Sequence, residues 1–203
     1  MNDTQPKIEE CLNNTLFSYP ARLEAIINQT LALGFDMSSE PRTGTMLKML
    51  AASKPGGRFL ELGTGTGIST TWLLDGMDDT SFLISVDNNS RFQNVAREIL
   101  GSDKRLRLVT EDGISFLQSQ KSSSFDFIFA DTFPGKYEIL DNALTLLAPG
   151  GLYIVDDMLP QPNWPVDHEP KVRALILDLT SRKNYPAVCL NWASGLIMLA
   201  RTK

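Results

Sequence analysis

Acidic residues recur along this chain at the ends of short apolar segments. They are Glu61, Asp87, Asp112, Asp131 and Asp156. If these segments are parallel strands, the acids share the carboxyl edge of a sheet, which is where ligands of doubly wound sheets bind. Acids on one edge repel each other, so a ligand or cation that offsets their charge is expected there. The alternative for any single acid is a helix cap, because acids commonly cap the helices that follow such strands.

Glycines at every second position follow the first of these segments, the apolar run at residues 59–62. Gly63, Gly65 and Gly67 can adopt positive φ and let the backbone approach a ligand closely. A helix is expected directly behind them, and its first N–H groups and positive dipole end suit a polar or anionic ligand. The turn therefore predicts a site for a nucleotide-like ligand, and the alternative is a plain glycine-rich connection.

The spacing of the glycines separates classes of nucleotide site. A dinucleotide-binding turn has the pattern G-x-G-x-x-G, whereas this chain has G-x-G-x-G, and the Gly-Lys-Ser/Thr ending of a P-loop is missing. Asp87, at the end of the next strand, is expected to accept both hydroxyls of a ribose. Several nucleotide cofactors share that ribose, so Asp87 does not discriminate among them.

The elements that must position these residues alternate between strand and helix patterns. The predicted strands are 58–62, 82–86, 106–110, 125–130 and 152–155, and the predicted helices are 68–74, 91–100, 114–120, 137–147 and 171–182. This alternation predicts an α/β fold with a doubly wound, mostly parallel sheet. Residues 187–192 and 196–200, joined by a short turn, complete a seven-stranded sheet as an antiparallel C-terminal hairpin. Such a hairpin is unlike most nicotinamide-binding folds.

The N-terminal part, residues 1–57, is predicted to hold helices and a loop. A weak helical pattern spans 8–17, a clearer helix spans 21–33 with Gly34 as its cap, a loop spans 35–44 and a short helix spans 45–52. The apolar residues of the clearer helix recur at helical spacing, at Leu23, Ile26, Ile27 and Leu31.

A proline-rich stretch at residues 158–170 is predicted to be a long loop, and such loops are often functional. Trp164 within it is expected either to line a pocket or simply to pack. His168 is expected to be an exposed loop histidine, with a base near a substrate as the alternative.

Composition sets further bounds. A chain of 203 residues suits one domain, and 42% hydrophobic residues suffice for a core. The net charge of −5 disfavours a nucleic-acid substrate.

Cys11 and Cys189 show no metal-binding spacing and are expected to be reduced core thiols. No apolar run reaches the length of a membrane span and the N-terminus is polar, so we expect a cytoplasmic protein and leave a homodimer open.

The segment Glu61 to Gly67 resembles motif I of the class I S-adenosylmethionine-dependent methyltransferases. From about Ser38 onward the chain resembles, more narrowly, the catechol and caffeoyl-CoA O-methyltransferases, in segments 125–131, 149–157 and 195–201 and at Tyr137. The resemblance implies a Rossmann-like methyltransferase fold over a single domain, 1–203, with the cofactor-binding core at 58–203. It also implies S-adenosylmethionine as cofactor and a small-molecule acceptor as partner.

The resemblance also implies roles for individual residues. Ser69 would bond the cofactor carboxylate, and Asp112 would lie where the family holds the adenine amino group. Asp131, Asp156 and Asp157 would hold Mg²⁺ or another divalent cation. The full set of candidate cofactor contacts is Glu61, Gly63, Thr64, Gly65, Gly67, Ser69, Asp87, Asn88, Asp112, Gly113 and Asp131.

Two positions depart from the family pattern. The family has a lysine three residues after the first metal aspartate, but here that position is Pro134 and the nearest lysine is Lys136. Asp157 stands where the family usually has asparagine. Asp131 and Lys136 are the candidate catalytic residues. Two alternatives to a metal stay open: Lys136 pairs with Asp131 so that no cation is needed, or Asp157 turns away or caps a helix.

The leading functional hypothesis is therefore S-adenosylmethionine-dependent O-methylation of a small hydroxylated molecule. A nicotinamide-dependent oxidoreductase is the alternative from another enzyme class, and the glycine spacing and terminal hairpin count against it. A cofactor-binding protein of this fold with little catalysis is the third hypothesis, motivated by the missing lysine.

Overall fold

The structure is a computed structural model, and it describes residues 18–162 and 164–203. The helical pattern predicted at 8–17 and Cys11 lie outside the described residues. Among the described helices, none combines the length and apolar character needed to cross a bilayer.

A seven-stranded sheet forms the centre of the fold, with the strand order β3-β2-β1-β4-β5-β7-β6. Strands β1 to β5 pair in parallel, and β7 runs antiparallel to both β5 and β6. The predicted fold class is confirmed. The strands are β1 (Arg58–Leu62), β2 (Phe82–Asp87), β3 (Leu106–Thr110), β4 (Phe125–Ala130), β5 (Leu147–Val155), β6 (Ala187–Leu190) and β7 (Leu196–Ala200).

Helices cover both faces of the sheet, as a doubly wound fold requires. One apolar cluster joins the sheet to the first four helices, and the other joins it to the last three. The strands β1, β4 and β5 are buried on both faces and contribute the apolar runs seen in the sequence. The helices are α1 (Leu23–Leu33), α2 (Pro41–Ala52), α3 (Ile68–Gly76), α4 (Ser90–Leu100), α5 (Gly113–Ser119), α6 (Leu140–Leu146) and α7 (His168–Ser181).

Several element boundaries differ from the prediction for local reasons. Helix α2 begins at Pro41, within the predicted loop, because proline suits the first helical position. Helix α6 begins only at Leu140, since Ile139 has a left-handed φ of 45° that interrupts a helix. Strand β5 begins at Leu147 and passes through Pro149, Gly150 and Gly151, which were expected to precede it, with a register shift against β4.

The buried face of α1 differs from its apolar pattern. Leu23 and Ile26 are buried as predicted, whereas Leu31 is 72% exposed. Thr30 is buried instead, and its hydroxyl bonds the carbonyl of Ile26 and the hydroxyl of Thr66 in the glycine turn. Helix α1 therefore rests on the turn through a polar contact that hydrophobic spacing does not reveal.

The prediction of core thiols is wrong for Cys189, which is exposed on β6. That strand lies at the edge of the sheet, so side chains there meet solvent on one face.

Candidate functional site

A cavity of about 460 Å³ lies at the carboxyl ends of β1, β2, β4 and β5. The strand order reverses between β1 and β4, and ligands of doubly wound sheets bind at such a switch point. The glycine turn and the end of β2 line one part of the cavity, and residues that follow β4 and β5 line the other. Of the five acids predicted at this edge, Asp87, Asp131 and Asp156 line the cavity.

The glycine turn is shaped in a way that side chains would obstruct. Gly63, Gly65 and Gly67 have φ values of +100°, +52° and +98°. A Cβ on Gly63 would lie 2.9 Å from the backbone oxygen of Asp131, and one on Gly67 would lie 2.8 Å from Cβ of Ala96. The turn thus combines left-handed backbone with close approach, both of which favour glycine.

Asp87 is held at the rim of the turn by backbone donors. Its Oδ2 accepts from the N–H of Gly65 at 2.7 Å, and its Oδ1 accepts from the N–H of Asn89 at 2.8 Å. Asp87 and Asn88 both line the cavity. Each carboxylate oxygen keeps a further lone pair, so Asp87 can still accept from the hydroxyls of a ligand.

Thr64 and Ser69 line the same part of the cavity. The hydroxyl of Thr64 is bonded to Ser85 at 2.6 Å and to the amide of Gln93 at 3.0 Å, so it is already satisfied beneath the turn. Thr64 therefore offers a ligand its backbone rather than its hydroxyl. Ser69 lies in the first turn of α3, next to the glycines.

Glu61 lies beneath the turn and does not line the cavity. It is fully buried and accepts hydrogen bonds from the hydroxyls of Thr70 and Ser85. Burial raises the pKa of Glu61 to about 7, although these hydroxyl bonds oppose the rise. The side chain predicted as a cofactor contact thus joins β1, β2 and α3 under the turn.

The buried Glu61 carboxyl should make stability depend on pH. The pKa of Glu61 in the folded state lies above the ordinary value of 4.5. The stability that the protonated carboxyl contributes is therefore complete below pH 4.5 and is lost as the pH rises through about 7. A shift of this size corresponds to on the order of 3 kcal/mol. We expect the melting temperature of Glu61→Gln to fall less than that of the wild type between about pH 5 and about pH 8. If the melting temperatures of the two proteins changed equally with pH, this account would be contradicted.

Asp112 and Gly113 also lie outside the cavity lining. Asp112 caps α5 by accepting a hydrogen bond from the N–H of Ser115 at 2.9 Å. This is the role predicted from the sequence as the alternative to a ligand contact. Gly113 packs against Pro134, since a Cβ there would lie 2.9 Å from the proline ring.

Three carboxylates converge where β4 and β5 end. Asp131, Asp156 and Asp157 each offer an oxygen, and these oxygens lie within 4.8 Å of one another. Burial raises the pKa of Asp131 well above its usual range and that of Asp156 to about 6. The neighbouring carboxylates add to both shifts, so a positive charge between the three side chains would stabilise the cluster.

Lys136 brings a positive charge to this cluster from the loop after β4. Its Nζ lies 3.6 Å from Oδ1 of Asp131, and its side chain is only 5% exposed. The predicted pairing of Lys136 with Asp131 is therefore present. One ammonium does not offset three carboxylates, and an all-oxygen donor set suits a hard divalent cation such as Mg²⁺, so the residues fit that ion as well.

Aromatic rings form the wall beyond the acids. Phe133, Tyr137, Trp164 and His168 line the cavity and contact one another, with ring centroids 4.7 Å apart for Trp164 and His168 and 5.3 Å apart for Tyr137 and His168. The prediction of an exposed His168 is wrong, because this residue begins α7 and is only 7% exposed. Trp164 lines the pocket, which was one of its two predicted positions.

The sequence did not reveal the part played by the loop between α1 and α2. Residues 35–40 line the cavity over the glycine turn. The ring of Phe35 packs on Phe92 at 4.6 Å, and the hydroxyl of Ser39 donates to Oδ2 of Asp131 at 3.3 Å. The serines of this loop and Pro41 directly after it indicated only irregular backbone.

Comparisons with known proteins agree with this geometry. Residues 60–158 match the family described as "Methyltransferase domain". A candidate O-methyltransferase from Mycobacterium ulcerans (strain Agy99) is 31% identical over 120 residues, which are 57% of this chain and 54% of the relative. One from Mycolicibacterium smegmatis is 30% identical and covers 57% of each. The chain thus aligns with about half the length of these curated relatives.

Solved structures extend the similarity to nearly the whole fold. The O-methyltransferase from Bacillus cereus in complex with SAH has a TM-score of 0.80 at 22% identity and covers 96% of this chain and 97% of its own. The O-methyltransferase TomG from Streptomyces achromogenes, in complex with SAM, has a TM-score of 0.78 at 22% identity and covers 95% of each chain. The chain is thus similar in sequence to a methyltransferase domain and to O-methyltransferases, and the solved structures confirm the predicted Rossmann-like methyltransferase fold.

Proposed function

We propose that this protein is an S-adenosylmethionine-dependent methyltransferase that transfers a methyl group to a hydroxyl of a small molecule. The observation that carries the proposal is the shared cavity, in which the glycine turn and Asp87 face the same space as the cluster of Asp131, Lys136, Asp156 and Asp157. One half suits a nucleoside cofactor and the other suits an ionisable acceptor. The family match over residues 60–158 supports the same conclusion.

The cofactor half is built to bind and orient. S-adenosylmethionine, when bound, would supply a methyl group on a sulfonium, whose carbon an acceptor oxygen can attack in line while the sulfur leaves as a neutral thioether. The turn from Gly63 to Gly67 brings backbone close to the ligand, and Asp87 accepts from its ribose hydroxyls. The loop at 35–40 covers the turn and excludes water, which favours the displacement over side reactions.

The acceptor half is built to control charge on the reacting oxygen. A divalent cation held by Asp131, Asp156 and Asp157 would lower the pKa of an acceptor hydroxyl. Lys136 faces the same carboxylates and opposes the rise in the pKa of Asp131, because a neighbouring ammonium favours the charged form. Ser194 and the backbone N–H of Asp157 hold Asp156 in place.

Methyl transfer itself tests the proposal. The protein is incubated with S-adenosylmethionine, Mg²⁺ and a panel of catechols, phenols and amines, and products are identified by mass. We expect methyl ethers from at least one hydroxylated acceptor. Methylation of amines alone would overturn the O-methyl assignment, and cofactor binding without any turnover would favour the hypothesis of a binding protein with little catalysis.

Asp87→Ala should weaken the binding of S-adenosylhomocysteine about 10- to 100-fold, because hydrogen bonds to a charged acceptor contribute roughly 1.5–3 kcal/mol. Titration calorimetry measures this change directly. Asp79→Ala, which removes an exposed acid from a turn, serves as the matched control and should bind like the wild type. Equal affinities for Asp87→Ala and the control would remove Asp87 from the cofactor site.

A further inference from the structure

The aromatic wall contains a titratable pair that the proposed function leaves unused. His168 is the single histidine of the chain, and it lines the cavity although only 7% of its surface is exposed. Its Nε2 lies 3.3 Å from the hydroxyl oxygen of Tyr137, within hydrogen-bonding distance. Tyr137 lines the same cavity, so both polar groups meet the space beside the acid cluster.

The surrounding structure fixes the orientation of the imidazole. His168 is the first residue of α7, and its backbone N–H donates to the carbonyl of Pro165 at 3.0 Å. Its ring stacks edge-on against Trp164 and Tyr137 and lies 5.9 Å from the ring of Phe133. A ring held on three sides keeps one edge for hydrogen bonding, and that edge faces Tyr137.

The charges around His168 favour a neutral ring. Burial lowers the pKa of His168. Lys136, in the loop after β4, and Lys171, in α7, lower it further. Asp157 after β5 and Asp167 before α7 act in the opposite direction and do not reverse the shift. A neutral imidazole at pH 7 has a free lone pair and can accept a proton.

Tyr137 has a different character from its partner. Burial, followed by the charge of Asp157, raises the pKa of Tyr137 to about 12. The phenol therefore stays protonated at neutral pH. It can pass a proton on by donating its own to His168 while accepting another, but it is too weak an acid to serve as an ionised base.

Two of the three carboxylates nearby are less available as bases. Asp131 faces Lys136 and accepts from Ser39, and Asp156 accepts from Ser194 and from the N–H of Asp157. These contacts engage both oxygens of Asp131 and Oδ1 of Asp156. Among the rings of the aromatic wall, His168 is the one that is oriented, lines the cavity and, when neutral, can accept a proton.

We propose that His168, acting directly or through the hydroxyl of Tyr137, is the general base that removes the proton from the acceptor hydroxyl. This inference rests on the proposed function. The acceptor O–H bond breaks and an N–H bond forms at Nε2, while the acceptor oxygen bonds the methyl carbon and the sulfur keeps the electron pair of the broken S–C bond. The products are a methyl ether, a neutral thioether and an imidazolium, which then loses its proton to water.

The first test observes His168 without turnover. The protein, free of any histidine tag, is saturated with S-adenosylhomocysteine in buffer with chelator, at a pH below the pKa of the free probe. It is then titrated with 4-nitrocatechol, whose ionised form absorbs visible light. Because the chain has one histidine, its imidazole NMR signals are unambiguous. We expect the bound probe to ionise and the imidazole signals to move toward those of imidazolium. In His168→Gln the probe should bind without ionising.

The second test uses activity with an acceptor found in the panel. General base catalysis contributes about 10²- to 10⁴-fold, so His168→Gln should lower kcat by about that factor with a smaller change in KM. The wild-type rate should rise with pH as His168 loses its proton, and this rise should be absent from the pH profile of His168→Gln. If His168 acts directly, Tyr137→Phe should retain the rise of the rate with pH. If Tyr137 relays the proton, this variant should lose most of the rate.

Outcomes for the two proposals are separable. If S-adenosylhomocysteine binds but the probe leaves the imidazole signals unchanged, whether it binds elsewhere or not at all, the role of His168 is overturned and the proposed function stands. An unchanged pH profile in His168→Gln overturns it equally. If the wild type does not bind S-adenosylhomocysteine, the proposed function itself fails.

Discussion

Gly65→Val should abolish binding of S-adenosylhomocysteine, with a loss of about 100-fold or more, and leave the protein folded. Gly65 has a φ of +52°, where a β-branched residue is strained, and a Cβ there would lie 3.0 Å from the ring of Phe35. The added methyl groups would occupy the space between the turn and the covering loop, into which the cofactor must fit. Titration calorimetry measures the affinity, and circular dichroism confirms folding.

Gly150→Val is the matched control for backbone strain. Gly150 has a φ of +77°, and a Cβ there would meet nothing within 4 Å. It lies in β5, outside the residues that line the cavity. We expect both variants to lose some stability and only Gly65→Val to lose the ligand. If Gly65→Val binds as the control does, the turn is a structural connection and not a cofactor site.

Removal of a carboxylate from the acid cluster should weaken the binding of a divalent cation strongly. Asp156→Ala should weaken Mn²⁺ binding by about 100-fold, since even outer contacts of metal sites contribute 10- to 100-fold. Lys136→Met should strengthen it, because the ammonium 3.6 Å from Asp131 repels a cation. Calorimetry or the EPR signal of free Mn²⁺ reports both changes.

Chelation connects this site to the reaction. Methyl transfer should fall on addition of chelator and recover with Mg²⁺ in the wild type, whereas Asp156→Ala should not recover. Asp79→Ala, which removes an exposed acid from a turn outside the cavity, should behave as the wild type does. A rate of methyl transfer that does not change with chelator would show that Lys136 alone offsets the charge of the cluster.

The sheet could be predicted from the sequence because its signals are local. The strands β1, β3, β4 and β7 were predicted to the residue, since each is a short apolar run bounded by turn residues. The acids at their ends followed from the topology, because parallel strands end at one edge. The convergence of Asp131 with Asp156 and Asp157 is a consequence of β4 pairing with β5.

The environment of individual side chains could not be predicted in the same way. His168 follows several prolines and was expected in solvent, but tertiary contacts with Trp164 and Tyr137 bury it. Glu61 was expected to touch the ligand, yet the hydroxyls of Thr70 and Ser85 hold it beneath the turn. Both outcomes depend on partners distant in sequence, which hydrophobic periodicity does not encode.

The most direct measurement compares two ligands on the unmodified protein. S-adenosylhomocysteine and NADH are titrated separately by calorimetry, with melting temperature as an independent reading, since a ligand that binds the folded state raises it. We expect S-adenosylhomocysteine to bind at one site per chain and NADH to give no binding heat. Binding of NADH together with no response to millimolar S-adenosylhomocysteine would contradict the assignment of the cavity.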